Sequence, residues 1–351
     1  MNKMPFVLIL ALWASVGLGV TTAVDYPLAV TDSAGRSVTI EVPVEKIIVM
    51  NSDAADAVSI LGDAEKIAGS VDLSYKAHYF VAFSGGWENV GTWKEFNYEK
   101  IAELARDDGG EIAPGMLVIC YANKAVEMEE SLAAFEKIDI LGLDLYNAET
   151  LEEEMALLGT ILDRKAEAEG YNAWVREKKA AVSAAVSGLG RPQVYVETGS
   201  VGDIGSLATV SRGAALDELI DLAGGDNIID VDQQYPKVEW EAVLTGNPDV
   251  IIKVPPAINQ LGWSDTADME ALLADILGRP GASSIPAVED ERVYVIFRDI
   301  TLGTGAVVGL TYWAKIFHPE AELDPVGVYR EYLAVRGLSY PEESFFVLPG
   351  I

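Results

Sequence analysis

Short polar turns hold most of the residues in this chain that could recognise a small molecule. Each follows an apolar, mostly β-branched run: residues 51–53 (Asn-Ser-Asp), 121–123 (Tyr-Ala-Asn), 197–200 (Glu-Thr-Gly-Ser), 253–255 (Lys-Val-Pro) and 298–301 (Arg-Asp-Ile-Thr). In open α/β sheets, ligands sit outside the carboxyl ends of the strands, so binding side chains are expected at such turns. Arg298 and Lys253 offer positive charge to a carboxylate, Arg298 through a bidentate fork. Asn51, Tyr121 and Glu197 add hydrogen-bonding groups, although a glutamate at a strand end can equally be neutralised by a nearby arginine. Tyr75, Trp87, Trp93, Tyr235 and Trp263 offer flat walls for a large ring, with ordinary packing as the competing role.

Other chemistries find little support. There is no Gly-x-Ser-x-Gly elbow, His-Glu-x-x-His pair or P-loop. Gly199, Gly202 and Gly205 follow a predicted strand, but their spacing differs from the dinucleotide fingerprint. The only histidines are His78 and His318, too few for a protein-only zinc site, since zinc prefers nitrogen or sulfur ligands. Cys120 is the single cysteine, so no intrachain disulfide forms; inside a predicted strand it reads as a small buried thiol. These features predict a binding protein with no resident cofactor or metal and no catalytic residue.

The elements that must present the turns repeat. An acidic residue opens a short helix ending at glycine in 56–62 and again in 218–224. A second acid-headed helix follows at 99–104 and 241–244, and a proline then leads into strands at 114–119 and 248–252. Similar α/β halves imply a cleft between them, where small ligands bind. Further strands are expected in a hairpin over 28–42, and at 47–50, 67–71, 142–146, 193–197 and 292–297. Thr150 and Glu153 form a capping-box pattern, and apolar residues recur at helical spacing without proline from 150 to 187. One helix of ~38 residues would be about 57 Å long; a division into two packed helices at Gly170 is the alternative. The expected domains are therefore 24–149, a bridging helix at 150–187, and 188–351.

The chain has 351 residues and a formal net charge of −30, which repels phosphate backbones and argues against nucleic-acid binding. The same surface suits a high-salt or extracellular setting. Lys3, the uncharged run 6–20, and Thr21, Thr22 and Ala23 form a secretory signal over 1–23, cleaved after Ala23 or kept as an N-terminal anchor. An extracytoplasmic protein is expected.

The chain resembles the substrate-binding proteins of ABC importers for iron chelates and corrinoids, the ferric-siderophore and vitamin B12 family. The matching pieces are 30–36 (Val-Thr-Asp-Ser-Ala-Gly-Arg), 47–50, Leu61 with Gly62, Ala68 with Gly69, and Val90 with Gly91. They continue with 223–227 (Ala-Gly-Gly-Asp-Asn), 247–252 (Asn-Pro-Asp-Val-Ile-Ile), Ala287 with Val288 leading into 293–295, and 314–319. The resemblance implies an α/β fold of two Rossmann-like lobes with mostly parallel sheets, joined by one long interdomain helix that permits only small closure. It implies a monomer that captures a metal chelate (ferric siderophore-like, corrinoid or haem) and delivers it to a membrane permease and its ATPase. An exported α/β enzyme or a ligand sensor using the same cleft is the alternative. One surface acid per lobe would dock on the permease: Asp56 on the first, Glu218 on the second, with Asp217 as its near alternative. A carboxylate at a helix start also has a local explanation in the helix dipole. His78, flanked by Tyr75 and Tyr79, could ligate haem iron or corrinoid cobalt, with a solvated loop histidine as the alternative. Two departures stand out: an insertion at 106–113, and the aromatic stretch 72–98, where ligand identity is expected to reside.

Overall fold

The computed structural model describes residues 24–350, apart from 74, 75, 77, 79–86, 93, 136 and 259. The signal or anchor reading of 1–23, and Tyr75 and Trp93, lie outside the described residues.

A hairpin, β1 (Leu28–Thr31) and β2 (Ser37–Ile40), opens the chain. Its turn is closed by Asp32, whose carboxylate accepts from the backbone N–H groups of Ala34 and Arg36. The first main sheet contains β3 (Lys46–Val49), β4 (Ile67–Ser70), β5 (Glu88–Asn89), β6 (Met116–Cys120) and β7 (Ile138–Gly142). Its strand order is β5-β4-β3-β6-β7, and every pairing is parallel. Ile47, Ile48 and Val49, and Leu117, Val118 and Ile119, are fully buried. Apolar residues on consecutive positions are what a parallel strand covered on both faces requires.

The second main sheet contains β8 (Gln193–Thr198), β10 (Asp226–Asn227), β12 (Val250–Val254), β13 (Val293–Ile296) and β14 (Val347–Leu348). Its order is β10-β8-β12-β13-β14, with only β14 antiparallel. A small ribbon pairs β9 (Leu207–Ala208) with β11 (Lys237–Val238). Helices alternate with these strands: α1 (Ser52–Ile60), α2 (Tyr98–Leu104) and α3 (Ala125–Leu132) with the first sheet. The second sheet carries α6 (Ala215–Leu222), α7 (Trp240–Gly246), α8 (Ala267–Leu277), α9 (Pro286–Glu289), α10 (Ala306–Phe317) and α11 (Pro325–Val335). The fold is thus mixed α/β with two mostly parallel sheets.

Two expectations need correction. The strand placed at 142–146 instead ends at Gly142. Beyond it, the Glu154 carboxylate accepts from the backbone N–H groups of Asp144 and Leu145, at 2.9 and 2.6 Å, which a strand would offer to a neighbour. Leu145 then adopts φ 55°, turning the chain away.

The segment 150–187 is not one helix. It forms α4 (Leu151–Ile161) and α5 (Lys165–Val186), and the break lies at 162–164 rather than at Gly170, which continues through α5. Asp163 sits at φ 57°, and Arg164 N–H closes on Gly159 O at 2.6 Å. Gly159 permits the two helices to meet, since a Cβ there would lie 2.5 Å from the Ala168 Cβ. The Thr150 side chain makes no capping bond to α4, so the capping box does not form. α5 packs on α4 at one end and on α10 of the second half. Because Asp163 holds a left-handed conformation, Asp163→Gly should stabilise the protein by about 0.5–1 kcal/mol, read from urea unfolding. A loss of stability would mean that its side chain contributes more than its backbone costs.

Candidate functional site

The site begins where β3 stops. Asn51 is extended and places its Oδ1 2.8 Å from Ala54 N–H, capping α1. α1 is wedged deep in the fold, with Ser52 to Val58 all buried. From this side, Asn51, Ser52, Asp53, Asp72, Lys76, Tyr121 and Tyr146 line a cavity of about 540 Å³. Tyr235, Ala257, Arg298, Asp299 and Leu302 close it from the other half. It lies at the carboxyl ends of β3, β6 and β13, the place where open α/β sheets bind ligands.

Asp53 is a buried carboxylate in the cavity wall. Tyr121 Oη donates to its Oδ2 at 2.9 Å. Burial pushes its carboxyl above the ordinary value; Asp56 adds to this, while Lys76, the Tyr121 hydrogen bond and Arg298 oppose it. A loop from the second half presses on the same carboxylate: at Gly303, φ 63°, a Cβ would stand 2.7 Å from Asp53 Oδ1. Tyr146 meets Tyr121 edge-on, with ring centroids 5.7 Å apart. Arg298 is exposed, and its side chain has no hydrogen bond or ion pair with a described residue. Beside it, Asp299 Oδ2 lies 3.7 Å from His78 Nε2.

Of the side chains expected to bind ligand, Asn51, Tyr121, Tyr235 and Arg298 line this cavity. Others are placed elsewhere. Lys253 and Glu197 stand opposite each other in the β12–β8 register and are buried. Lys253 Nζ lies 2.7 Å from Glu197 Oε1, and Arg279, just past α8, contacts the same carboxylate at 2.6 and 2.9 Å. Both are structural ions, because their shared sheet face points into the core. Trp263 is buried against Phe297, edge-on at 5.6 Å, so it too is packing. Trp87 is half-buried and packs against the core without lining the cavity.

The docking acids also differ from expectation. Asp56 is not a surface acid: it is buried on α1, with Arg336 Nη2 2.8 Å from its Oδ1. Glu218 is half-buried in the first turn of α6. Burial and the nearby Glu149 push its carboxyl up to about 7, against the pull of Lys179. Asp217 accepts from Asn227 Nδ2 at 2.7 Å. His318 is buried, with Nε2 3.2 Å from Gly224 O, and is structural. Cys120 is buried and its thiol is pushed up to about 12, which keeps it protonated and inert. The inserted loop closes on itself, with Asp107 accepting from Gly109 and Glu111 N–H and Arg106 bonding Gly110 O.

Sequence reasoning missed Lys76, Tyr146 and Asp72 as cavity residues, although Asp72 directly follows the strand expected at 67–71. Asp53 and Asp299 were visible in the polar turns, but nothing in the sequence distinguished them from ordinary caps. Among the described residues, no group of three or more His, Cys, Asp or Glu is arranged to hold a metal ion. No helix among them is long and apolar enough to cross a membrane.

Known proteins share this architecture. A TroA-like periplasmic binding protein, FepB, from Veillonella parvula superposes with a TM-score of 0.73 at 22% identity, covering 92% of this chain and 99% of that one. A cobalamin-binding protein of Halobacterium salinarum is 25% identical over 240 residues, 66% of this chain. The chain spans 59% of that relative's length. The haem uptake protein IsdE of Staphylococcus aureus is 29% identical over 114 residues, 32% of this chain and 38% of its own. Residues 47–299, which include both main sheets' central strands and every cavity residue named above except Leu302, match the family described as periplasmic binding protein. The chain belongs to the periplasmic binding protein family.

Proposed function

We propose that this protein is an extracytoplasmic solute-binding protein that captures a metal chelate in the interlobe cavity and delivers it to an ABC permease with its ATPase. The chelate is a corrinoid, haem or ferric siderophore-like compound, and it leaves chemically unchanged. The observation that carries this reading is the cavity itself, built at strand ends with side chains from both halves of the chain. Its volume, about 540 Å³, lies within the usual range of small-molecule pockets. The family membership and the cobalamin- and haem-related relatives support the ligand class. With Asp56 engaged by Arg336, Glu218 remains the proposed docking acid on the second lobe, and the first lobe must use another surface.

Titration with cobalamin, haemin and a ferric catecholate, followed by tryptophan fluorescence, tests this reading. Micromolar or tighter binding of one class is expected, and no binding of any would reject it. Arg298→Ala should weaken an anionic chelate by about 10- to 100-fold, the range of a charged hydrogen bond, and a neutral one much less. Equal loss for both would remove Arg298 from charge recognition.

A further inference from the structure

Asn51 is buried to within 2% of full enclosure, yet only half of its amide is used. Its Oδ1 accepts from Ala54 N–H at 2.8 Å, as an N-cap must. That bond fixes the orientation of the amide, because a flipped group would set N–H against N–H. Its Nδ2 is consequently left buried without an acceptor, beside a cavity that Asn51 lines. Buried polar groups are nearly always paired, so an orphan donor at a binding cavity calls for an acceptor on the ligand.

The surroundings state which kind. The first N–H groups of a helix lack intrahelical partners. In α1, a helix of nine residues, Asn51 takes that of Ala54, which leaves those of Ser52 and Asp53, both residues of the cavity wall. They add the positive end of the helix dipole. Across the cavity, Arg298 contributes a guanidinium that has no hydrogen bond or ion pair with a described residue and feels Asp53 and Tyr235 only through space.

We propose that Asn51 Nδ2, the α1 N-terminus and Arg298 form an oxyanion subsite, which seats a carboxylate or phosphate arm on the periphery of the bound chelate. This rests on the chelate-binding reading above and specifies which part of the ligand is recognised. The core of the chelate then lies toward Tyr121, Tyr146 and Tyr235.

Paired probes test it: haemin against its dimethyl ester for a carboxylate arm, and cobalamin against cobinamide, which lacks the nucleotide phosphate. Wild-type protein should bind the oxyanion-bearing member of one pair at least about tenfold more tightly than its partner. Asn51→Ser and Asn51→Asp both keep a good N-cap, so their melting temperatures should stay near wild type. Asn51→Ser should nevertheless reduce that preference by about tenfold, and Asn51→Asp by more, because it sets an acceptor where a donor stood. Wild-type affinity in Asn51→Ser, or equal loss for both members of the pair, would overturn the subsite while leaving chelate binding intact. Failure of all four probes to bind wild type would reject the subsite, and absence of ferric catecholate binding as well would reject the chelate reading.

Discussion

Arg279→Met should unfold about 3 kcal/mol more easily than wild type in urea, and up to about 5 if Lys253 cannot compensate. The guanidinium holds Glu197 with two bonds, meets Asp275 at 2.6 Å and lies 5.0 Å from the centre of the Trp240 ring. Methionine fills much of the space but leaves a buried carboxylate with only Lys253 beside it. Removing one partner of a buried pair is far costlier than removing the pair, so replacing Glu197, Lys253 and Arg279 together with Gln, Met and Met should recover most of the loss. A single-variant cost below about 1 kcal/mol would contradict the burial of this cluster.

The same cluster sets an acid limit. Burial alone would raise Glu197, but Arg279 and Lys253 outweigh it and hold the carboxyl below its ordinary value of 4.5. A depressed carboxyl contributes stability above its unfolded value and loses it as pH falls through the folded value. Stability should therefore decline below about pH 4.5 in wild type. In Glu197→Gln that part of the decline should be missing, a difference read from urea midpoints at successive pH values. Lys253 Nζ also donates to Ser200 O at 3.0 Å, so the cluster fixes the turn at 197–200 as well.

Arg336→Met is the second large effect, also about 3–5 kcal/mol, because it strands Asp56 in the interior near Asp53. Arg336 bonds Asp56 at 2.8 Å and Tyr332 Oη at 2.9 Å, and that hydroxyl meets Thr304 Oγ1 at 2.9 Å. Tyr171 of α5 donates to Thr304 O at 2.9 Å. This network joins α1, α5, α11 and the Gly303 loop, so its loss should loosen both halves around the cavity and weaken ligand binding along with stability. Asp56→Asn should behave similarly, though less severely. A variant at Asp56 that keeps full stability and ligand affinity but fails in transport would instead restore it as a docking acid.

How much of this was readable beforehand depended on how local the cause was. Strands β3, β6, β8, β12 and β13 were visible because a parallel strand covered on both faces needs consecutive apolar residues. The polar turns that follow them were visible for the same reason, and so Asn51, Tyr121 and Arg298 were found. The break at Asp163 was not, since helical spacing of apolar residues continues across it and no proline marks it. The sequence alone determined the class of fold, the strand ends and the residues able to cap or bind there. Only the tertiary structure decided which charged side chains face the cavity and which are locked away. Lys253 meets Glu197 through strand register, and Asp56 meets Arg336 across 280 residues of chain. A side chain's role as ligand contact or buried ion depends on which distant partner reaches it, and periodicity carries no record of that encounter.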